Sequence, residues 1–271
     1  MSRDAAGAAP SSGRVEADPE LYPDLAAAGG LEAALEKAAA SLDLGLDLGL
    51  GELPGGDADM ERGGAAPGAG PTTGPTAFPA NRRDALAVHL GSAERRFIVS
   101  GWSRGVELVR GDTADLGQVA KASAAWRSGA SLHELRALCP FLDFGELAEA
   151  HERGPAEAVT VKWRQLREAL REPVPFPNIR ELVEAAFVEP RLRQLFPFTS
   201  HWSLHFTTCT GFPYTWVVPF VDPLRDGRFR VCGPNRGTVI GEAGSAEEAL
   251  ALVLAHLPAD IGPAVAGTAR D

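Results

Sequence analysis

Two histidines, His201 and His205, lie four residues apart in an unusually aromatic part of the chain. Residues 196–206 hold four aromatic residues, whereas the whole chain is only 7% aromatic. On a helix, imidazoles at this spacing could share a zinc ion. Along a strand, positions four apart are separated by about 13 Å, whereas a zinc ligand lies about 2 Å from its ion. Because the pattern of this stretch is that of a strand, we predict no metal site here.

The strand pattern is an alternation of apolar and polar side chains with a period of two. Its apolar positions are Trp202, Leu204 and Phe206, which we expect to enter the core together. The polar side chains then face either solvent or a pocket. We take five of them as candidate ligand-binding residues: Ser200, His201, Ser203, His205 and Thr207.

The other patterns in the sequence do not predict a catalytic site. Ser200 precedes His201 directly, but neighbours on a strand point to opposite faces and cannot readily form a nucleophile–base pair. The Gly-x-Ser-x-Gly pattern of a nucleophile elbow is absent. The glycines at 233 and 237 lack the Lys-Ser/Thr of a phosphate-binding loop, so a turn is expected there. We therefore name no catalytic residue and no cofactor, and the residues leave open whether the protein is an enzyme.

Composition and charge limit the possible partners. The chain has 271 residues, 45% of them hydrophobic, and a net charge of -10. Residues 1–80 hold 13 acidic and 4 basic side chains, whereas residues 81–271 are nearly neutral with 23 and 22. Nothing resembles the basic surface that nucleic-acid binding requires. No run of about 18 apolar residues could span a membrane, so we expect neither kind of partner.

The cysteines and the N-terminus indicate a compartment. Cys139, Cys209 and Cys232 are widely spaced, and no Cys-x-x-Cys pair exists. Neither a disulfide framework nor a zinc knuckle is therefore expected. The first residues are followed by no apolar stretch of the kind found in secretory signals. We expect a cytoplasmic protein.

The pattern along the chain predicts four regions. They are a disordered head at 1–20, a helix and a weak strand at 21–50, a flexible Gly/Pro/Ala-rich insert at 51–80 and a compact domain at 81–271. The domain begins with a hairpin and continues through capped helices, with Asp112, Ser131, Asn178 and Ser245 as cap residues. Short strands follow from Tyr214. Together these elements predict an α+β fold, in which an antiparallel sheet carries helices mainly on one face.

Several motifs resemble those of a known family. They are the Pro-Phe-Thr-Ser-His-Trp motif from Pro197, Trp102-Ser-Arg-Gly-Val-Glu-Leu, Asp115-Leu-Gly-Gln-Val-Ala, Gly241-Glu-Ala and Gly262-Pro-Ala-Val-Ala-Gly. The combination resembles a bacterial family of unknown function whose members are labelled natural-product-biosynthesis proteins. The resemblance covers most of 82–271. It implies a role in secondary metabolism and brings no catalytic residues with it.

These observations lead to one expectation and two alternatives. We expect an accessory protein of a natural-product pathway that binds a small molecule or a protein partner along the polar row from Ser200 to Thr207. The first alternative is an enzyme of such a pathway with an active site assembled from distant segments. The second is an immunity or regulatory protein that binds another protein.

Overall fold

The structure, a computed structural model, describes residues 17–44, 83–84, 86–172, 174–235 and 237–271. Most of the expected head at 1–20 and the whole of the expected insert at 51–80 lie outside these residues. Within them the chain forms nine helices and two antiparallel sheets, which confirms the α+β prediction. Each sheet has a hydrophobic core of its own.

The first sheet is a four-stranded meander in the order β1-β2-β3-β4. Its strands are β1 (Leu86–Leu90), β2 (Phe97–Ser103), β3 (Val106–Thr113) and β4 (Leu142–Asp143). The hairpin expected near residue 103 is present, and its turn is Arg104-Gly105. Gly105 has a φ of +74°, a conformation that a residue without a Cβ adopts at little cost.

Five helices accompany this sheet. They are α1 (Pro23–Ala28), α2 (Leu31–Ser41), α3 (Leu116–Arg127), α4 (Leu132–Leu138) and α5 (Glu146–Arg153). The first two pack into the same core as the strands, because Leu25 and Leu35 are buried beside Phe97 and Val99. Tyr22 anchors them further, since its hydroxyl donates to the carbonyl oxygen of Gly91 (2.8 Å).

The second sheet is a five-stranded meander in the order β5-β6-β7-β8-β9. Its strands are β5 (Phe196–Ser200), β6 (Ser203–Thr207), β7 (Phe220–Pro223), β8 (Phe229–Cys232) and β9 (Val239–Ala243). Four helices belong to it: α6 (Pro155–Ala169), α7 (Asn178–Val188), α8 (Pro190–Arg193) and α9 (Ala246–Ala255).

The helices cover one face of this sheet, as expected. Leu204, Val221 and Val231 of that face share a core with the apolar sides of α7 and α9. The opposite face carries Phe198, His205 and Phe220. It lies under the irregular segment 212–218, whose aromatic rings contact it.

The expected single strand through residues 200–209 is wrong. His201 and Trp202 form a two-residue turn between β5 and β6 and have φ angles of 50° and 72°. Positive φ at both positions is the pattern of a type I′ hairpin turn, which fits the twist of the flanking strands. Leu204 and Phe206 are buried as expected, but Trp202 sits at the turn with 37% of its surface exposed.

Three other local predictions need correction. Asp112 belongs to β3, and Asp115 caps α3 by accepting from the amide of Gly117 (2.8 Å). The side chain of Asn178 does not cap α7; it donates to the carbonyl oxygen of Arg228. The strand expected from Tyr214 begins only at Phe220. The capping roles of Ser131 and Ser245 are confirmed.

Candidate functional site

The five predicted ligand-binding residues lie in three different environments. Ser200 and His201 are at the exposed end of the hairpin, where Ser200 Oγ lies 3.3 Å from His201 Nδ1. Ser203 is half-buried on β6 and donates a hydrogen bond to Asp222 on β7. His205 and Thr207 are buried. The structure therefore does not bring these residues together around one pocket.

His205 lies inside an aromatic cluster on the face of the second sheet that the helices leave uncovered. Only 3% of its surface is exposed. Its ring stacks on Phe198 with centroids 5.0 Å apart and on Phe220 at 4.5 Å. The edge of Trp216 meets it at 5.3 Å. These contacts hold the imidazole as a packed ring of the cluster, away from bulk solvent.

Thr207 is the centre of a hydroxyl cluster that fixes the chain after β6. Its Oγ1 accepts from the amide of Thr215 (3.1 Å) and from the amide of Cys209 (3.3 Å), and it lies 2.8 Å from Thr215 Oγ1. Because its hydrogen-bonding capacity is used within the fold, its side chain holds segment 208–215 in place.

Asp222 links Ser203 to Cys232. One carboxylate oxygen accepts from the Ser203 hydroxyl, and the other lies 3.6 Å from Cys232 Sγ. Burial, together with the negative charge of Asp222, raises the pKa of the Cys232 thiol to about 11. The thiol is therefore protonated at neutral pH and is a poor nucleophile.

A cavity of about 350 Å³ lies away from these residues. It is between two halves of the molecule, the first ending with α5 and the second beginning with α6. We call it the seam cavity. It is lined by residues of the first half (Arg83, Ser103, Arg104, Val106, Leu108, Gly129, Ser131, His151, Glu152) and of the second half (Thr210, Ala266, Gly267). Its volume is at the lower end of the range of small-molecule sites.

Arg83 is a fixed cation in the wall of this cavity. Its side chain is 13% exposed, and its guanidinium lies 4.3 Å from the ring centre of Trp126. Nη1 donates to the carbonyl oxygen of Ala130 (2.6 Å) and Nη2 donates to Glu152 (2.9 Å). Burial lowers the pKa of Arg83 in spite of the opposing effect of Glu152. The charge is thus held where water is scarce.

His151 contributes an uncharged ring to the same wall. Its position on α5 is half-buried, next to Phe196 and near Lys162. Burial, followed by the repulsion of Lys162, lowers the pKa of His151 to about 4. The imidazole is therefore neutral at physiological pH and offers one donor and one acceptor.

Thr210 lines the cavity from the second half, but its hydroxyl oxygen is itself buried and is not open to the cavity. The residue is 2% exposed, and Oγ1 has no hydrogen-bond partner among the residues that the structure describes. A buried hydroxyl without a partner is costly. The backbone around it is well held, because its amide donates to the carbonyl oxygen of Val265 (3.0 Å).

Close backbone packing beside the cavity holds the two halves together. The amide of Phe212 donates to the carbonyl oxygen of Gly105 (2.9 Å), and the amide of Gly211 donates to that of Gly267 (2.8 Å). A Cβ on Gly211 would overlap the carbonyl oxygen of Arg104, and one on Gly105 would overlap that of Phe212. The hairpin tip and the loop can therefore approach this closely only because both residues are glycine.

The sequence patterns did not identify the seam cavity. Its lining comes from stretches that are distant in the chain, and none of them forms a motif. One feature visible in the sequence does border it: His151 and Glu152 are adjacent on a short helix. Nothing in that pattern indicates that a strand hairpin and a C-terminal loop meet them.

Two further features concern metals and membranes. Within the described ranges, no group of three or more His, Cys, Asp or Glu side chains is placed to hold a metal ion. The helices of the same ranges are too short or too polar for any of them to cross a bilayer. The three cysteines are free and buried.

Comparison with known proteins gives one match. Residues 157–268 are similar to a family described as a family of unknown function (DUF6193). The matched stretch contains the second sheet and the Thr210, Ala266 and Gly267 side of the cavity, whereas Arg83 and His151 lie before it. No curated protein and no solved structure matches the chain.

Proposed function

We propose that this chain is a cytoplasmic accessory protein that binds a small molecule of a bacterial natural-product pathway, and that the seam cavity holds this molecule. The cavity supports the binding part of the proposal. The pathway part depends on the resemblance of the Pro197–Trp202 motif and its companions to proteins labelled for natural-product biosynthesis.

The observation that carries the proposal is the cavity wall, in which the polar side chains of Arg83 and His151 are held in fixed positions. Arg83 is held in place by Ala130, Glu152 and Trp126. His151 lines the same cavity with a neutral imidazole. A few fixed polar groups in a wall that also has apolar parts, here Val106 and Leu108, are typical of a ligand site.

A fragment screen by NMR tests the proposal. Isotope-labelled protein with assigned backbone amides is titrated with a library of small polar fragments. We expect the hits to shift the amides of Ser103, Gly129 and Gly267, which line the cavity. Hits that shift only amides around His205 and Trp216 would favour the aromatic cluster instead, and the cavity proposal would then fall.

One observation favours a second candidate, an enzyme with a dispersed active site. His151 is an imidazole in the cavity wall that can hydrogen-bond a bound substrate, and its pKa of about 4 would have to rise on binding for it to act as a general base near neutral pH. The candidate is tested by incubating each cavity-binding fragment with the protein and following its mass. Conversion that disappears in a folded His151→Gln variant would support the enzyme, whereas binding without conversion would support the accessory protein.

A further inference from the structure

Lys162 is a half-buried amine that the proposed function does not use. It lies on α6, and its Nζ is 5.7 Å from the ring centre of Phe196 on β5. The helix is fixed beside that strand, because Trp163 is buried and its Nε1 donates to the carbonyl oxygen of Leu195 (3.1 Å). The lysine side chain therefore leaves the helix at a defined place, against an apolar neighbour.

Nothing in the described part of the chain neutralises this amine. Nζ forms no hydrogen bond and no ion pair with any residue of that part. The face of Phe196 is a weak substitute, since 5.7 Å is close to the outer limit of about 6 Å for a cation over a ring. The neighbouring His151 is a neutral imidazole and brings no negative charge. Burial lowers the pKa of Lys162, so its amine is uncharged more often than that of an exposed lysine.

Nζ is nevertheless open to solvent. Among the residues that the structure describes, the fully buried side-chain nitrogen and oxygen atoms without a partner belong to Ser123 and Thr210, and Nζ of Lys162 is not one of them. A small molecule can therefore reach it. A lysine that lies against apolar surface, has no counter-charge and is open to solvent has the surroundings of a nucleophilic amine.

From this arrangement we infer that Lys162 is a nucleophilic amine that binds a small aldehyde covalently, as an imine. The lone pair of Nζ attacks the carbonyl carbon, and one amine proton passes to the carbonyl oxygen, which gives a carbinolamine. The C–O bond then breaks, and the oxygen leaves as water with the second amine proton while the C=N bond forms. The step needs no oxidant, reductant or cofactor, and hydrolysis of the imine returns the amine and the aldehyde.

This site is separate from that of the proposed function. His151 lines the seam cavity, whereas Lys162 is not among the residues of its wall. The two sites can therefore be tested independently, and the failure of one leaves the other standing.

The chain offers its own controls for a test. It contains three lysines, and the other two, Lys37 and Lys121, are exposed. The protein is treated at neutral pH with propionaldehyde and sodium cyanoborohydride, which reduces an imine to a stable secondary amine. Peptide mass spectrometry follows the modification of each lysine with time. We expect Lys162 to be modified at least about threefold faster than the other two, because the uncharged fraction of an amine rises about tenfold for each unit by which its pKa falls.

Two further measurements assign the selectivity to the fold. In concentrated urea the three lysines should be modified at similar rates, because the surroundings of Lys162 are lost. In the folded protein, Lys162→Arg should lower the early uptake of aldehyde, measured as the mass of the intact chain, more than Lys121→Arg does.

Either of two results would overturn the inference. The first is modification of Lys162 in the folded protein at the same rate as Lys37 and Lys121, or more slowly, which would show that Nζ is charged or out of reach. The second is a preference for Lys162 that persists in urea, which would show that the fold does not cause it.

Discussion

Arg83 and Glu152 lie 69 residues apart in the chain and form an ion pair of 2.9 Å in the wall of the seam cavity. The pair joins the segment before β1 to α5, the last helix of the first half. Glu152 also accepts from the amide of Leu132, so one carboxylate fixes both the arginine and the start of α4. The polar wall of the cavity is thus built before any ligand arrives.

Removing the charge of Glu152 should destabilise the fold. In Glu152→Gln the half-buried Arg83 loses its counter-charge, and a cost of about 1–2 kcal/mol in the free energy of unfolding is expected for this partly exposed pair. Urea unfolding followed by tryptophan fluorescence measures it. Glu36→Gln, on the exposed side of α2, is the control and should change little. Equal stability of both variants would mean that the ion pair contributes nothing.

Two threonines provide a matched test of the unpaired hydroxyl. Thr210→Val replaces a hydroxyl without a described partner and should leave the free energy of unfolding unchanged or raise it by up to about 1 kcal/mol. Thr207→Val removes an acceptor that serves the amides of Thr215 and Cys209, and should lower it by about 1–3 kcal/mol.

Neither variant should change the binding of fragments that occupy the seam cavity wherever the protein is folded, because Thr210 Oγ1 is itself buried and Thr207 Oγ1 is used within the fold. The contrary outcome is a Thr210→Val protein that is clearly destabilised, which would indicate that its hydroxyl has a partner in solution.

A methyl group at Gly211 should separate the two halves. Because its Cβ would overlap the carbonyl oxygen of Arg104, Gly211→Ala must move the hairpin tip away from the loop, at a cost of about 1–3 kcal/mol. Gly262→Ala is the control, since a Cβ there meets nothing within 4 Å. Thermal unfolding measures both, and a Gly211→Ala protein as stable as the control would show that the close approach is not required.

Acid should destabilise the protein through His151. In the unfolded chain this group takes up a proton near its ordinary pKa of 6.5, whereas in the folded protein it does so only near about 4. The unfolded state therefore binds more protons as the pH falls from 6.5 to 4. The contribution of His151 to stability is complete above pH 6.5 and is lost over this range, by on the order of 2–3 kcal/mol.

The pH effect is measured as a difference between proteins. Urea unfolding of wild type and His151→Gln is compared at neutral pH and at mildly acidic pH. The variant should lose less stability on acidification than wild type does. His89→Gln, which removes an exposed imidazole of β1, should behave like wild type. Parallel losses in wild type and His151→Gln would contradict the buried, neutral state of His151.

The sequence was sufficient for the elements whose signals are local. The capping box at Ser131 and the cap at Ser245 mark helix starts directly, and the hairpin predicted with its turn at Ser103-Arg104 is present with the turn one residue later, at Arg104-Gly105. Alternation placed Leu204 and Phe206 in the core. In each case neighbouring residues alone determine the structure.

The predictions that failed depend on long-range packing. His201-Trp202 lacks the Asn-Gly signal typical of its turn, so the sequence does not mark this hairpin. A strand through residues 200–209 would be longer than most strands, and this length is the signal in the sequence that favours a turn. His205 was expected to face solvent or a pocket. It is buried because Trp216, eleven residues later, folds back onto it, and no local pattern contains that contact.

The most direct test of the seam cavity is a crystal structure of the protein with the tightest-binding fragment of the screen. We expect electron density for the fragment in the seam cavity, in contact with Arg83. Density for the fragment over Trp216 and His205, with ordered water alone beside Arg83, would contradict the account.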